Sequence, residues 1–475
     1  MLPRMPYDDA SWEKSEEVAD SWVRQFLEPD ILRQIGGFLV RHHSPSDPDQ
    51  FSILEKGAFN ISLRMKYENV SSAVIRFPQP GATMFPEENV RNEVAIMRFI
   101  HAKTSIPVPF VLHWGTRKES PLQLNPFIIM EYIDHDTNMY DALNSPECSK
   151  SDRGALDSSI DEDKLEFLYG ELANILLQLS AFSLPQIGSL DQVDDFTWEV
   201  AYRPLSMPMN ELIRLGSLSQ LELPHTTFDT ASSYLEHLAR LHISHLVNQR
   251  NDAIDSANDC RRKFVARKLF PKLAQDHRLF ANSSQFEHGP FKLWCDDYRP
   301  ANVLLDKSLS IFGVVEWEFT YAVPGLRTGA WSMSDDFRQI LRALTQHEDK
   351  MIEQGHLKEY QRLSKPIRDS WKSGDFWIAY AARNNFAFDA IYWEKIDRRF
   401  FGTVDCSIDD LWEHRLDLLN DKEKAEMESL VAQKPRDMET RILAWDPDDY
   451  TLARLNVREE IVIAKEDLGL SGKFQ

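Results

Sequence analysis

Two adjacent carboxylates, Asp296 and Asp297, lie between apolar runs in the stretch FKLWCDDYRPANVLLD, residues 291 to 306. Asn302 opens the second of these runs, and a later apolar run, IFGVV, is followed directly by Glu316. Amide and carboxylate oxygens are the ligands that hard cations such as Mg²⁺ prefer. A carboxylate can also accept the proton of a reacting hydroxyl group. Asp297, Asn302 and Glu316 are therefore predicted to form a magnesium and proton-transfer site.

The spacing of the two runs predicts the element that brings Asn302 and Glu316 together. VLLD and IFGVVEW have the composition of two strands, and KSLS (307–310) has that of the turn between them. With the centre of symmetry near residue 309, Asn302 stands seven residues before it and Glu316 seven after it. The two side chains are then expected to face each other, with Cβ atoms about 4.5–5.5 Å apart. Asp297 lies on the loop that leads into this pair.

The residues that precede this site predict a small sheet that carries one helix. NISLRMKY (60–67) alternates apolar and polar residues, as a half-buried strand does. AVIRFP (73–78), FVLHWG (110–115) and PFIIMEYI (126–133) predict three further strands. PEENVRNEVAIMRFIHAK (86–103) predicts a helix, because a proline and acidic residues begin it and an apolar stripe follows at helical spacing.

The character of the chain changes after about residue 134. A polar, acidic connector, NSPECSKSDRGALDSSIDED, is followed by leucines at the helical period between Leu165 and Leu179. Residues 228–280 and 333–395 also predict long helices. DDFTWEV (194–200) predicts a solvated loop, with a stretch that presents its acids to a cationic substrate as the alternative. The fold class is α+β, with a small antiparallel-sheet lobe and a larger, mostly helical lobe. The predicted units are an N-terminal helical extension (1–50), the sheet lobe (51–133), the helical lobe with the catalytic loop and hairpin (134–402), and a C-terminal helical tail (403–475).

The composition of the chain limits the kinds of molecule that it can be expected to bind. The 475-residue chain has a formal net charge of −21, which argues against binding to nucleic acid or to an anionic membrane, since both need a basic surface. The four cysteines show no CxxC spacing, so neither a zinc site nor a disulfide framework is expected. No apolar run approaches the roughly 18 residues of a membrane span. The start, MLPRMPYDDASWEKSEE, lacks the apolar core of a signal peptide, so a cytoplasmic protein is predicted.

CDDYRPANVLLD followed by FGVVEWEF resembles the catalytic loop and metal motif of the aminoglycoside phosphotransferase-like (choline kinase-like) family. GAFNISLRMKY, NEVAIMRFI, TSIPVPFVLHWG and SGDFWIAYAARNNFAFDAIYW are similar to segments of its fungal branch, and the resemblance covers roughly residues 50 to 402. It implies a bilobal, protein-kinase-like fold. It also implies an enzyme that uses ATP and Mg²⁺ to move the γ-phosphoryl group to a hydroxyl group of a small molecule.

The resemblance implies a role for each matching position. Asp297 is the base that accepts the proton of the substrate hydroxyl, and Asn302 and Glu316 hold Mg²⁺. Arg76 takes the place of the phosphate-binding lysine, with Glu93 as its partner on the helix. The remaining nucleotide contacts are Gly57, Ala58, Phe59 and Asn60 over the phosphates, and Glu131, Tyr132 and Ile133 in the hinge whose backbone holds adenine.

The pairing of Arg76 with Glu93 has support that does not depend on the resemblance. Ile96, Met97 and Ile100 follow Glu93 by three, four and seven residues, which places Glu93 on or beside the apolar stripe of its helix. A carboxylate in that position costs free energy unless it is paired. A cation on the neighbouring strand is therefore expected to bind it.

The chain departs from the family pattern at several positions. Cys295 and Asp296 replace the usual His-Gly before the catalytic Asp, and Asp296 is given no role. Arg76 replaces Lys, Glu316 is one methylene longer than the usual Asp, and the tract after residue 324 is shorter. These departures leave an alternative, a catalytically impaired (pseudokinase-like) nucleotide-binding or scaffold protein. Choline-like, sugar and secondary-metabolite acceptors all remain open, as does the oligomeric state.

Overall fold

The computed structural model describes residues 5–69, 71–145, 156–157, 159–279, 287–325 and 336–454. Parts of the acidic connector, of the tract after residue 324 and of the C-terminal tail lie outside these described residues. The expectations placed on those parts, including the shortened tract, therefore stay predictions, and so do the boundaries of the four units.

The sheet lobe is built around a five-stranded sheet with the strand order β1-β2-β3-β5-β4, in which all neighbours are antiparallel. Its elements, in chain order, are α1 (Asp9–Phe26), α2 (Pro29–His42), β1 (Pro48–Lys56), β2 (Asn60–Tyr67), β3 (Ser72–Pro78), α3 (Pro86–Lys103), β4 (Val111–Gly115) and β5 (Phe127–Glu131). The strands expected at β2 to β5 and the helix expected at α3 are confirmed. The sequence does not predict β1, because its residues are nearly all exposed and show no alternation.

One face of the sheet is covered by α1 and α2. Trp22 and Phe26 of α1 and Leu39 of α2 are buried against this face. Burial of one such side chain contributes about 1.5–3 kcal/mol. The alternate residues of β2 lie on the same face and are buried, as their pattern predicts: Ile61, Leu63, Met65 and Tyr67.

The opposite face is covered by α3. This helix begins with Pro86, and acidic residues occupy its first turn, where the helix dipole favours negative charge. Its apolar residues, among them Val94 and Met97, are buried together with Val74 of β3 and Ile128 of β5. The helix therefore carries Glu93 directly over β3, the strand that contains Arg76.

The helical lobe is larger and contains three small two- or three-stranded sheets. Its strands are β6 (Thr137–Asn138), β7 (Ser189–Asp194), β8 (Thr197–Tyr202), β9 (Lys292–Cys295), β10 (Val303–Leu305), β11 (Ile311–Val314) and β12 (Thr320–Val323). Its helices are α4 (Met139–Leu143), α5 (Glu162–Ala181), α6 (Met207–Leu215), α7 (Ala231–Asn248), α8 (Ala257–Gln275), α9 (Asp336–Glu353), α10 (Ser364–Ser373), α11 (Asp375–Arg383), α12 (Phe388–Ile391), α13 (Asp397–Phe401) and α14 (Asp421–Thr440).

Three expectations about this lobe need correction. The long helix expected over 228–280 is two helices, α7 and α8, and the region 333–395 is divided into α9 to α12. Gly374, with φ of 80°, separates α10 from α11, because it takes a left-handed conformation that other residues rarely adopt. DDFTWEV is not simply a loop, since β7 and β8 pair as an antiparallel hairpin.

The hairpin formed by β10 and β11 is present, but its register differs from the prediction by one residue. Val303 pairs with Val314, and the backbone N–H of Val315 donates to the carbonyl of Asn302 at 3.0 Å. The expectation that Asn302 faces Glu316 is therefore wrong. The turn takes in Asp306, whose side chain accepts hydrogen bonds from the backbone of Ser308 and Ser310. Leu305 therefore pairs with Ile311, and an irregularity between Leu304 and Leu305 shifts the pairing by one residue before Val303.

Helix α1 contacts both lobes. While Trp22 and Phe26 pack on the sheet, Ser11 Oγ lies 2.8 Å from Ser217 Oγ, just after α6. Arg214 of α6 donates from Nε to Ser15 Oγ at 2.6 Å. The first helix is thus a second connection between the lobes, in addition to the chain segment that follows β5.

The described helices and cysteines bear on the two expectations about membrane spans and disulfides. Among the helices that the structure describes, none is long and apolar enough to cross a membrane. Cys260, Cys295 and Cys406 are free thiols, and Cys148 lies outside the described residues.

Candidate catalytic and nucleotide-binding site

Asp297 and Asn302 are in direct contact on the loop between β9 and β10. The Asn302 amide donates to Oδ2 of Asp297 at 3.0 Å and to the backbone carbonyl of Asp297 at 2.8 Å. Oδ1 of Asp297 lies 3.2 Å from Nε of Arg299, whose side chain is largely exposed. The carboxylate is thereby held in one orientation, with only 12% of its side chain exposed.

The environment makes the Asp297 carboxylate a better proton acceptor than an ordinary aspartate. Burial raises its pKa above the usual value of 3.8, and the negative charges of Glu316 and Asp296 raise it further. Arg299 and the Asn302 hydrogen bond act in the opposite direction but do not cancel the effect of burial. A carboxylate whose pKa is moved toward neutrality is suited to general base catalysis.

Glu316 lies two residues after β11 in a strained backbone conformation. Its φ is +59°, which is uncommon for residues other than glycine and is often associated with functional sites. Its carboxylate lies 2.9 Å from Nη1 of Arg76 and accepts a hydrogen bond from the Asn60 amide at 3.3 Å. The side chain is 28% exposed. Glu316 thus links the hairpin of the helical lobe to two strands of the sheet lobe.

Arg76 is buried between two acids. It forms an ion pair with Glu93 of α3 as well as with Glu316, and only 3% of its side chain is exposed. Burial lowers the pKa of Arg76, but the carboxylates of Glu316 and Glu93 raise it above its ordinary value. Glu93 also accepts a hydrogen bond from the Trp317 backbone at 3.1 Å. The expected contact between Arg76 and Glu93 is therefore present and extends to Glu316.

Two buried polar residues of the site were not predicted from the sequence. Glu318 is 3% exposed and accepts a hydrogen bond from Asn60 at 3.0 Å. Burial raises its pKa well above the usual value, and the neighbouring carboxylates of Glu316 and Glu93 add to the effect. Gln79 is 1% exposed, and its amide donates to the carbonyls of Gly57 and Asn60 at 2.8 and 3.1 Å. The only sequence signal for Glu318 is its position between Trp317 and Phe319.

The loop between β1 and β2 is fastened at both ends. Gly57 and Ala58 are exposed, whereas Phe59 packs edge-on against Phe319 with ring centroids 5.5 Å apart. The backbone N–H of Gly57 donates to the carbonyl of Asn60 at 2.9 Å. The loop is therefore held beside the carboxylates of Glu316 and Glu318 by its own turn and by Gln79. Its exposed tip carries Gly57 and Ala58.

The predicted hinge residues lie at the end of β5 and directly after it, where the chain leaves the sheet. Glu131 is exposed at the end of β5, and the Tyr132 backbone N–H donates to the carbonyl of Ser72 at 3.0 Å. The guanidinium of Arg64 lies 3.6 Å from the centre of the Tyr132 ring. A Cβ atom at Gly313 of β11 would lie 2.6 Å from Cδ1 of Ile133, so the hairpin approaches the Ile133 side chain closely at this glycine.

Asp296 has a different environment from Asp297. It forms an ion pair with Arg383 of α11 and accepts hydrogen bonds from the Trp294 indole at 2.8 Å and the Met207 backbone at 3.0 Å. These contacts join the catalytic loop to α6 and α11. Asp296 is thus an anchor of the loop, which explains why two adjacent acids occur in CDDYRPAN.

The donor atoms of the predicted metal site fit Mg²⁺ in type. Asn302 binds Asp297 through its amide nitrogen, which leaves the amide oxygen for another contact, and Glu316 supplies a partly exposed carboxylate. Within the described parts of the chain, however, no group of three or more His, Cys, Asp or Glu side chains is arranged to hold a metal ion. Arg76 and Asn60 both contact Glu316 in this arrangement, so a metal bound there shares the carboxylate with them or replaces one of them.

A small antiparallel sheet with helices on both faces and a helical lobe that carries an Asp–Asn loop define a bilobal, protein-kinase-like α+β fold. No family model matches the chain. It is 24% identical over 289 residues to altered inheritance of mitochondria protein 9, mitochondrial, of Debaryomyces hansenii, over 54% of this chain and 44% of that protein. It is 26% identical over 172 residues to a subtelomeric hrmA-associated cluster protein of Aspergillus fumigatus, over 36% of this chain and 30% of that protein. The chain thus spans less than half the length of these curated relatives.

Solved structures of aminoglycoside and macrolide phosphotransferases also match. An APH(2″) enzyme in complex with GDP and kanamycin is 14% identical, over 82% of this chain and 98% of that chain, with a TM-score of 0.39. A macrolide 2′-phosphotransferase type I is 12% identical, over 85% of this chain and 98% of that chain, with a TM-score of 0.39.

Proposed function

We propose that this chain is a phosphotransferase that uses ATP and Mg²⁺ to transfer the γ-phosphoryl group to a hydroxyl group of a small molecule. The observation that carries the proposal is the contact between Asp297 and Asn302 beside the ion pairs that Arg76 makes with Glu93 and Glu316. A base, an amide oxygen, a carboxylate and a buried cation are the groups that phosphoryl transfer needs.

Each group has a defined task in this proposal. Asp297, with its raised pKa, orients the acceptor hydroxyl and takes its proton. Arg76, fixed by Glu93, supplies positive charge to the phosphates of the nucleotide. When bound, Mg²⁺ would be held by Asn302 and Glu316 and would neutralise negative charge on the phosphates. The rate enhancement comes mainly from positioning and charge neutralisation.

The nucleotide is proposed to lie between the lobes. The exposed tip of the loop at Gly57 and Ala58 covers the phosphates, and the backbone of the hinge residues Glu131 to Ile133 holds adenine. Gln79 supports this arrangement, because it fastens the loop through two backbone carbonyls. A loop fixed in this way presents its backbone to the phosphates at a low entropic cost.

The alternative is a nucleotide-binding or scaffold protein of the pseudokinase type that has no turnover. The ion pair between Arg76 and Glu316 favours this alternative. In it, the cation proposed to bind phosphate and the carboxylate proposed to bind the metal are paired with each other. In that alternative the ion pair persists when nucleotide binds. In the proposed enzyme Glu316 exchanges Arg76 for the metal.

An experiment on the full chain separates the two functions. The protein is incubated with MgATP and a library of hydroxyl-bearing metabolites, and release of ADP is measured. Asp297→Asn is expected to lower kcat by roughly 10²–10⁴-fold, the usual contribution of a general base, with little change in affinity for ATP. Asp195→Asn, at an exposed carboxylate in the β7–β8 turn, is the matched control and retains full activity.

Two results would contradict the proposal. If ATP binds but no acceptor in the library gives ADP, the alternative is supported instead. If Asp297→Asn retains the turnover of the unchanged protein, Asp297 is not the base. The location in the cytoplasm and the absence of nucleic-acid or membrane partners are part of the same proposal, and subcellular fractionation of the tagged full chain tests them.

A further inference from the structure

A second cavity lies away from the site described above, on the sheet face that α1 covers. Its volume is about 670 Å³, within the range of roughly 300–1,000 Å³ that small-molecule sites occupy. It is a half-open cleft lined by α1, by the segment between β4 and β5, and by the chain around residues 450–454. Leu122 supplies its exposed apolar surface, while Val18, Trp22 and Tyr450 line it and are almost wholly buried. None of the residues that line it belongs to the proposed catalytic site.

Three arginines line this cavity: Arg24, Arg117 and Arg454. In the part of the chain that the structure describes, none of the three has a carboxylate oxygen within 4.0 Å. Arg454 instead donates to the Tyr450 hydroxyl and to Gln25, each at 2.6 Å, and Arg117 lies 4.1 Å from the centre of the Tyr450 ring. A chain with 75 acidic and 54 basic residues supplies ample carboxylates, so this convergence of arginines without ion pairs is distinctive.

The acidic residues of the cavity do not cancel this charge. Glu17 pairs with Lys14, which also lines the cavity, at 3.0 Å. Glu28, which precedes α2, is the other lining carboxylate, and among the described residues no basic group lies within 4.0 Å of it. Counting full charges, the lining keeps a positive surplus in a protein whose net charge is −21. The local potential therefore favours an anion, against the charge of the chain as a whole.

The wall of the cavity also contains strained backbone. Leu122 and Gln123 are consecutive residues with φ of 55° and 52°, a left-handed conformation that costs free energy in residues other than glycine. Both line the cavity, and the Leu122 side chain is 49% exposed. Strain of this kind persists only where the surroundings impose it, and it is enriched at sites that bind ligands.

We propose that this cavity binds a small organic anion. Its carboxylate or phosphate group contacts Arg24, Arg117 and Arg454, and its apolar body lies against the exposed side chain of Leu122. Arginine suits this task, because its planar guanidinium both binds an acid group through two hydrogen bonds and stacks on aromatic rings. This site is separate from the one proposed for the nucleotide, so the two ligands bind without competition.

The test uses 2-naphthoate, 1-naphthyl phosphate and the uncharged 2-naphthamide as probes, with isothermal titration calorimetry on the full chain. At least one of the two anions is expected to bind with a stoichiometry of one, and the amide at least about tenfold more weakly, since it lacks the charge-assisted hydrogen bonds. Which of the two anions binds more tightly identifies the acid group that the site prefers.

The variants Arg24→Gln and Arg454→Gln are each expected to weaken binding of the anion about tenfold and to leave that of the amide unchanged. Arg24 is exposed, so its variant retains the fold even if loss of the Arg454 contacts destabilises the second one. Arg33→Gln, at an exposed arginine of α2 that pairs with Asp30, is the matched control and has no effect.

Saturation with MgATP is expected to leave the affinity for the anion unchanged, which distinguishes this site from the proposed nucleotide site. The proposal is overturned if neither anion binds saturably, if the amide binds as tightly as the anions, or if Arg24→Gln leaves anion affinity unaltered. Displacement of the anion by MgATP also overturns it.

Discussion

Nη1 of Arg76 lies 2.9 Å from Oε1 of Glu316, so the cation that is paired with Glu93 on α3 also holds the acid that follows β11. One side chain therefore connects the helix of the sheet lobe to the hairpin of the helical lobe. Because all three partners lie in or beside a buried region, their charges depend on one another for compensation.

The first prediction concerns the stability of this cluster. Arg76→Met leaves Glu93 buried without its cation, and we expect the free energy of unfolding to fall by about 3–5 kcal/mol. The double variant Arg76→Met/Glu93→Gln is expected to recover part of this loss, because the uncompensated charge is removed. Urea denaturation followed by tryptophan fluorescence measures both. Arg33→Gln, which breaks an exposed pair, is expected to change stability by no more than about 0.5 kcal/mol.

The stability of the double variant relative to Arg76→Met tests whether the unpaired carboxylate of Glu93 causes the loss. If the double variant is no more stable than Arg76→Met, the carboxylate of Glu93 is not the source of the loss. The destabilisation then comes from the packing of the Arg76 side chain alone.

The second prediction concerns the pH dependence of the proposed reaction. Arg299 lowers the pKa of Asp297, although burial keeps that pKa above its usual value of 3.8. In Arg299→Gln this lowering is lost, so the pKa of Asp297 rises and the base stays protonated to a higher pH. The acidic limb of the kcat/KM profile is therefore expected to move to higher pH, whereas the plateau at higher pH is changed less. A limb that stays in place, or moves to lower pH, contradicts the assignment of Asp297 as the base.

The third prediction concerns Glu318 and needs no enzymatic activity. Its folded-state pKa lies well above 4.5, so its contribution to stability is complete below that value and is lost as pH rises through the folded pKa. Glu318→Gln keeps an acceptor for the Asn60 amide but does not ionise. We expect the unchanged protein to lose stability relative to Glu318→Gln as pH is raised above 4.5.

Thermal unfolding at a series of pH values measures this difference. Glu68→Gln, at an exposed carboxylate in the β2–β3 turn, serves as the control and should follow the unchanged protein at every pH. Melting curves of Glu318→Gln that run parallel to those of the unchanged protein would show that Glu318 ionises normally in the fold.

Local periodicity was sufficient to predict the elements that bury one regular face. The alternation in β2 and the acidic start and apolar stripe of α3 each depend on interactions within the element and on one apolar surface. β1 lacks such a signal, because it is an edge strand whose side chains are mostly exposed. Its place in the sheet depends on backbone hydrogen bonds to β2, which any side chain permits.

Sequence patterns could not predict the register of the β10–β11 hairpin or the full set of site residues, for a different reason. The turn takes in Asp306, whose side chain binds the backbone of Ser308 and Ser310, and symmetry about residue 309 does not include that contact. The hydrogen bond that Glu318 accepts comes from Asn60, 258 residues away in the chain. Contacts of this kind depend on how the lobes meet, and no local pattern encodes them.

Helix α1 gives the molecule a second tether between its lobes. Ser11 and Ser15 bind the helical lobe beside α6, while Trp22 and Phe26 are embedded against the sheet. Rotation about the segment after β5 alone would pull this helix away from one of its two partners. The contacts of α1 therefore limit how far the two lobes can separate. Opening the space between them to admit or release a ligand requires α1 to slide or detach.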